Sequence, residues 1–215
     1  FTALVGPSGG GKSTIARLAA RFWDVTGGSI ALNGTDIRQM TQQYLRDHLG
    51  YVQQKAWLFS GTIADNLRYS RKDATEAELM HAADVAQAGD FIRSLPDGLN
   101  SHVAQGGTNF SGGQKQRLSI ARALVKKPEL YIFDDSFSAL DFKTDAALRH
   151  ALAAETKDAA VLIIAQRVSS IRHADQIVVL HEGRMAGIGT HEELLATCKV
   201  YQEIYESQTK EAQEA

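Results

Sequence analysis

The sequence predicts an α/β fold with a mainly parallel core sheet. Short apolar strands alternate with stretches of helical apolar spacing along the chain. Residues 161–165 run apolar without polar alternation, as a strand covered on both faces of a parallel sheet does. A glycine-rich stretch from Gly6 to Gly11 lies between an apolar strand and an amphipathic helix, where α/β sheets hold anionic ligands.

Each element has its own signal. Residues 1–5 are apolar and lead into glycines, so they read as a buried strand. Residues 12–23 place Ile15, Leu18, Ala19 and Phe22 at helical spacing. Residues 29–32 alternate between Gly27-Gly28 and Asn33-Gly34, a strand between turns, and residues 50–52 make another short strand. Thr75 and Glu78 form a capping box opening a helix to about Ala86. Residues 90–95 add a turn that Pro96 and Gly98 end, and residues 111–125 read as a long helix with Leu118, Ala121 and Leu124 on one face. Residues 130–133 form a strand delivering two aspartates, and residues 141–154 are helical. Residues 176–180 and 184–188 flank the turn His181-Glu182-Gly183 and predict a hairpin. Thr190 and Glu193 make a further capping box; the last stretch carries Val200, Ile204 and two tyrosines and fades into polar residues expected to fray.

Composition narrows the class. With 215 residues, 44% hydrophobic and 22% charged, the chain can bury a core without disulfides or structural metal. A balance of 23 basic against 25 acidic side chains argues against a nucleic-acid partner. A single cysteine, Cys198, rules out an intrachain disulfide framework and points to a reducing compartment; it is expected to pack on the C-terminal helix. The seven histidines show no metal-ligand spacing. The longest apolar run, residues 159–165, is far short of the ~20 needed to cross a bilayer.

Two clusters carry chemistry. Gly6, Pro7, Ser8, Gly9, Gly10, Gly11, Lys12, Ser13 and Thr14 match a phosphate-binding loop: glycines let backbone N–H groups face a polyanion, Lys12 reaches terminal phosphates, and Ser13 is placed to ligate Mg²⁺. Asp134 and Asp135 end an apolar strand, Asp134 placed to hold Mg²⁺ and Asp135 to orient or deprotonate water. Ser111, Gly112, Gly113 and Gln114 open a second helix with small residues, a further anion site or an ordinary cap.

In this order the motifs resemble the nucleotide-binding domain of ABC transporters of exporter type, over essentially the whole chain. Residues 6–14 look like Walker A and Val52-Gln53-Gln54, followed by Trp57-Leu58-Phe59, like the Q-loop. Residues 103–107 stand at the X-loop, and Phe110-Ser111-Gly112-Gly113-Gln114 resembles the family signature. Residues 130–135 resemble Walker B, Ser138-Ala139-Leu140-Asp141 the D-loop, and Ala165-Gln166-Arg167 the H-loop. The resemblance implies a P-loop NTPase with a helical subdomain at about residues 70–126 and a truncated antiparallel β part, its first strands and membrane domain lying before Phe1. It implies ATP and Mg²⁺ as cofactors, with Ser13, Gln54 and Asp134 on the metal and Lys12, Gln54, Asp135 and Gln166 catalytic. ATP would lie between this Walker A and a second domain's Ser111–Gln114 counterpart, with Asp141 at the shared site. Trp57-Leu58-Phe59 is read as core or as an interface to the membrane domain, leaving both open. The expected location is the cytoplasmic face of the inner membrane.

Three positions depart from the family pattern. Asp135 replaces glutamate, Gln166 replaces the H-loop histidine, and Phe110 replaces the signature leucine. Binding groups are kept and two hydrolytic groups are changed, which resembles the degenerate subunit of a heterodimeric exporter. A homodimeric exporter, a soluble ABC ATPase of DNA repair or translation, and a nucleotide-gated regulatory module are the competing readings. The exporter-like run at residues 59–67 speaks against the soluble ATPase.

Overall fold

The computed structural model describes residues 1–214, with side chains through Thr209; the expected fraying at the C-terminal tip lies outside these side chains. In chain order the strands are β1 (Thr2–Val5), β2 (Ala31–Leu32), β3 (Thr35–Asp36), β4 (Leu49–Val52), β5 (Gly61–Thr62), β6 (His102–Val103), β7 (Leu130–Asp134), β8 (Ala160–Ile164), β9 (Gln176–His181) and β10 (Arg184–Gly189). The helices are α1 (Lys12–Ala19), α2 (Gln42–Asp47), α3 (Ile63–Arg68), α4 (Glu76–Val85), α5 (Gly89–Ser94), α6 (Gly112–Lys126), α7 (Phe142–Glu155), α8 (His191–Thr197) and α9 (Lys199–Glu214). The chain divides into two compact units: Phe1–Leu49, Ile132–Asp135 and the chain from Ala160 onward form one, and Gly50–Tyr131 with Ser136–Ala159 the other.

The first unit is built on strands in the order β10-β9-β1-β8-β7. β1 pairs in parallel with β8 through Thr2↔Leu162 and with β9 through Thr2↔Gln176, so it is central and has no exposed edge. Ala3, Val5, Phe133, Ile177 and Val179 are fully buried there. At roughly 1.5–3 kcal/mol per large apolar side chain, this burial fixes the strand that feeds the glycine loop. β9 and β10 form the predicted antiparallel hairpin, with Glu182 and Gly183 at φ 48° and 74°, the conformation a two-residue type I′ turn requires. The strand expected at 29–32 is shorter, Ala31–Leu32, and pairs with β3 across Asn33-Gly34.

The helix expected over residues 12–23 ends at Ala19. Arg21 takes a left-handed φ of 52°, and its guanidinium donates to the Ile37 carbonyl at 2.9 Å and the Met40 carbonyl at 2.7 Å. These bonds pull the chain out of the helix, so Phe22 ends exposed rather than on the expected apolar face, and Trp23 beside it is exposed too. Thr190 and Glu193 form the predicted capping box of α8. Cys198 caps that helix and is buried against Gly187, where an added Cβ would lie 2.9 Å from its sulfur.

The second unit is helical around Leu58, Ile63, Leu67, Leu79, Leu118 and Leu148, all fully buried. The Thr75–Glu78 box opens α4 as expected, and a Thr62–Asp65 box likewise opens α3. The predicted face of α6 is buried at Leu118, Ala121 and Leu124. Trp57-Leu58-Phe59 divides: Leu58 is core, while Trp57 is 53% and Phe59 39% exposed. No helix among the described residues is long and apolar enough to cross a membrane.

Candidate functional site

The glycine loop joins β1 to α1. At Gly6 the chain runs so close to β9 that an added Cβ would sit 2.0 Å from the Leu180 carbonyl oxygen. The loop closes through the Gly10 N–H donating to the Pro7 carbonyl at 3.1 Å. Gly11 is the N-cap of α1, left-handed at φ 96°, and offers no side chain to the first-turn amides. Those donors are therefore left facing outward at the positive end of the helix dipole. Lys12 arches back over the loop: its ammonium donates to the Gly6 carbonyl at 2.7 Å and the Pro7 carbonyl at 2.8 Å. Two of its three protons are thus held, and one remains for an anion. Burial pushes the Lys12 pKa down, while Asp135 and Asp134 pull it up.

The carboxylates come from the end of β7. Ser13 donates its hydroxyl proton to Asp134 Oδ1 at 2.7 Å. Asp134 is 3% and Asp135 7% exposed. Asp135 has a left-handed φ of 50°, unusual for a residue with a side chain, and its N–H donates to the Ile164 carbonyl at 3.0 Å. This turns its carboxylate toward the loop after β8, where Gln166 Nε2 donates to Asp135 Oδ2 at 2.7 Å. Lys12, Ser13, Asp134, Asp135 and Gln166, scattered in sequence, form one connected cluster in the first unit.

The other expected residues lie in the second unit. Gln54 is exposed in the loop after β4, and its neighbour Gln53 accepts at its carbonyl from Gln116 Nε2 of α6 at 3.1 Å. Ser111 caps α6: its hydroxyl accepts from the Gln114 N–H at 3.2 Å, and the Gln114 side chain accepts from the Ser111 N–H at 2.9 Å. An added Cβ at Gly112 meets nothing within 4 Å, so no neighbouring atom crowds that position. Asp141 caps α7, and the Thr144 N–H and hydroxyl hold its carboxyl below the usual range.

The ABC transporter family profile matches residues 1–138, spanning the glycine loop, the start of α6 and the two aspartates. The chain belongs to the ABC transporter family. It is 47% identical over 214 residues to an uncharacterized ABC transporter ATP-binding protein of Mycobacterium tuberculosis, covering 98% of this chain and 36% of that protein. It is 45% identical over 206 residues to a putative multidrug export ATP-binding/permease protein of Staphylococcus aureus, with 96% and 36% covered. The solved structure of a bacterial Atm1-family ABC exporter with ATP bound superposes with a TM-score of 0.94 at 44% identity, over 97% of this chain and 37% of that one. The chain thus spans about a third of the length of these relatives.

As an exporter-type ABC nucleotide-binding domain, the chain carries the oxygen donors that Mg²⁺ prefers. Ser13 and Asp134 present a hydroxyl and a carboxylate 2.7 Å apart, suited to an ion that keeps waters and shares phosphate oxygens. The described residues contain no group of three or more His, Cys, Asp or Glu side chains able to hold a metal without such sharing. Sequence reading did not find the Leu180 carbonyl that forces Gly6, because the contact joins residues far apart in sequence. Nor did it find the Asp141 cap, although Asp141-x-x-Thr144 is itself a capping signal.

Proposed function

We propose that this chain is the motor domain of an ABC exporter, with about residues 70–126 as its helical, signature-bearing subdomain. Its own Walker site binds ATP·Mg²⁺ and hydrolyses it slowly, and its Ser111-Gly112-Gly113-Gln114 segment completes the faster site of a different partner subunit. The membrane domain belongs to the same polypeptide, and the domain works on the cytoplasmic face of the inner membrane.

The carrying observation is the 2.7 Å bond from Gln166 Nε2 to Asp135 Oδ2 within an otherwise complete phosphate cradle. A hydrogen bond to the ionised carboxylate favours its charged form and so weakens it as a general base. Here one carboxylate oxygen accepts from a neutral amide that neither carries charge nor shuttles protons as imidazole does. Asp135 is also one methylene shorter than glutamate, and a misplacement near 1 Å at a reacting centre costs about a hundredfold in rate.

The binding machinery supports tight nucleotide retention. Lys12 would use its remaining proton on a terminal phosphate oxygen, and the uncapped α1 amides would hold the phosphates through backbone N–H groups. Ser13 and Asp134 would hold Mg²⁺, with Gln54 as the third expected contact; the ion supplies charge neutralisation of the phosphates. Asp141 and the start of α6 are proposed to face the shared nucleotide.

Changing Asp135→Glu together with Gln166→His in the assembled transporter tests this reading. ATP turnover is expected to rise about tenfold or more, given the hundredfold sensitivity to placement. An unchanged rate would count against a degenerate site.

A further inference from the structure

The loop carrying Gln166 is held from outside the nucleotide site. After β8 the chain passes Ala165, whose N–H donates to the Leu4 carbonyl at 3.2 Å, and then turns through a single 3₁₀ turn at Val168–Ser170. The turn closes on itself through the Ser170 N–H donating to the Arg167 carbonyl at 3.1 Å, and a side chain on α9 bonds the loop backbone on either side of Arg167. Gln208 Nε2 donates to the Gln166 carbonyl at 2.6 Å, and Gln208 Oε1 accepts from the Val168 N–H at 2.7 Å.

This pairing has a defined geometry. One planar amide takes the carbonyl of one residue and the N–H of the residue two further on, as a neighbouring β-strand would. It therefore fixes both the position and the plane of the loop. The Gln166 side chain, on the same residue, reaches Asp135 Oδ2 at 2.7 Å. A continuous path thus runs from α9 through the Gln166 main chain to the Asp135 carboxylate. Glu203, Tyr205, Glu206, Ser207 and Thr209 around Gln208 are exposed, whereas Gln208 is half-buried.

We propose that Gln208 is a positioning residue for the nucleotide site. It holds the Gln166 loop so that Gln166 and Asp135 keep their relation to the terminal phosphate, and it makes the C-terminal helix a control element for turnover. This rests on the reading that Gln166 and Asp135 face that phosphate.

The test uses the intact transporter with two variants. Gln208→Met keeps length and removes both bonds. Gln208→Glu keeps the acceptor for the Val168 N–H and loses the donor to the Gln166 carbonyl. Hydrogen exchange of the peptide containing Val168 is followed with ATP·Mg²⁺ bound. Turnover is measured both in the parent and in the Asp135→Glu, Gln166→His background, which keeps the main-chain groups that Gln208 bonds and where this site is expected to be fast. For Gln208→Met, Val168 exchange is expected to speed up about tenfold, with kcat down about tenfold and KM for ATP moved less than about twofold, from loss of two hydrogen bonds. For Gln208→Glu, exchange stays near the parent while kcat still falls. Unchanged exchange in Gln208→Met overturns the clamp. Parallel loss of kcat and ATP affinity in both variants reduces it to a helix-docking contact and overturns the positioning role. Failure of the slow-site reading is seen separately, as a parent already as fast as the Asp135→Glu, Gln166→His protein.

Discussion

Replacing Gly6 by alanine asks how tightly the phosphate loop is fitted to the sheet. An alanine Cβ would lie 2.0 Å from the Leu180 carbonyl oxygen and 3.0 Å from its carbonyl carbon. Carbon–oxygen contacts normally sit at about 3.3 Å or more, so over 1 Å must open. The obstacle is the backbone of β9, paired with β1 on one side and β10 on the other, and it cannot swing aside as a side chain would. The φ of 157° at Gly6 adds a conformational cost. Overpacking costs about 1–3 kcal/mol and a glycine-only conformation about as much again, giving ~3 kcal/mol as the working figure. For a chain of this size that lowers Tm by about 6–12 °C. The Gly6 and Pro7 carbonyls would shift with the loop, releasing Lys12, and ATP·Mg²⁺ binding should weaken at least about tenfold. Thermal unfolding by circular dichroism and ATP titration of the same preparations read both effects. Gly112→Ala, whose Cβ meets nothing within 4 Å, is the control and should melt within about 1 °C of the parent. A Gly6→Ala protein melting within about 2 °C of the parent, with unchanged ATP affinity, would refute the close-approach argument.

Other outcomes follow from the same structure. Ser111→Ala removes the α6 cap and is expected to cut nucleotide turnover at the partner's site while ATP binding at this chain's own site holds; equal nucleotide trapping at the partner site would exclude a role in trans. The Glu78 carboxyl is held down at about 2 by the Thr75 N–H, and then by Arg71, against an ordinary value of 4.5. A depressed folded pKa gives stability that is present above 4.5 and lost as pH falls through about 2. Glu78→Gln should therefore flatten the dependence of Tm on pH in that window; the same slope as the parent would show that Glu78 does not contribute.

The site was legible where local chemistry spells it out. A glycine loop between strand and helix, a lysine and serine at its end, and two aspartates closing an apolar strand each carry their meaning within a few residues, and Lys12, Ser13, Asp134 and Asp135 do converge. Capping boxes at Thr75 and Thr190 marked helix starts because both partners lie within one turn. What stayed hidden depends on distant partners. The end of α1 at Ala19 is set by Arg21 bonding carbonyls at Ile37 and Met40, which apolar spacing does not reveal. The Gln166 loop is held by an amide 42 residues further along the chain. Short helices such as α2, with six residues, carry too few apolar positions for a periodic signal.

On the proposed function, this chain's own site holds ATP without readily cleaving it. Site-resolved photolabelling measures it directly: the assembled transporter is loaded with an α-labelled photoreactive ATP and Mg²⁺, chased with unlabelled ATP, and crosslinked at intervals. The nucleotide on this chain's Walker A peptide is then identified as triphosphate or diphosphate. Triphosphate is expected to persist through many turnovers of the partner site and to convert to diphosphate once Asp135→Glu and Gln166→His are introduced. Conversion to diphosphate at the same rate at both sites of the unaltered transporter would contradict it.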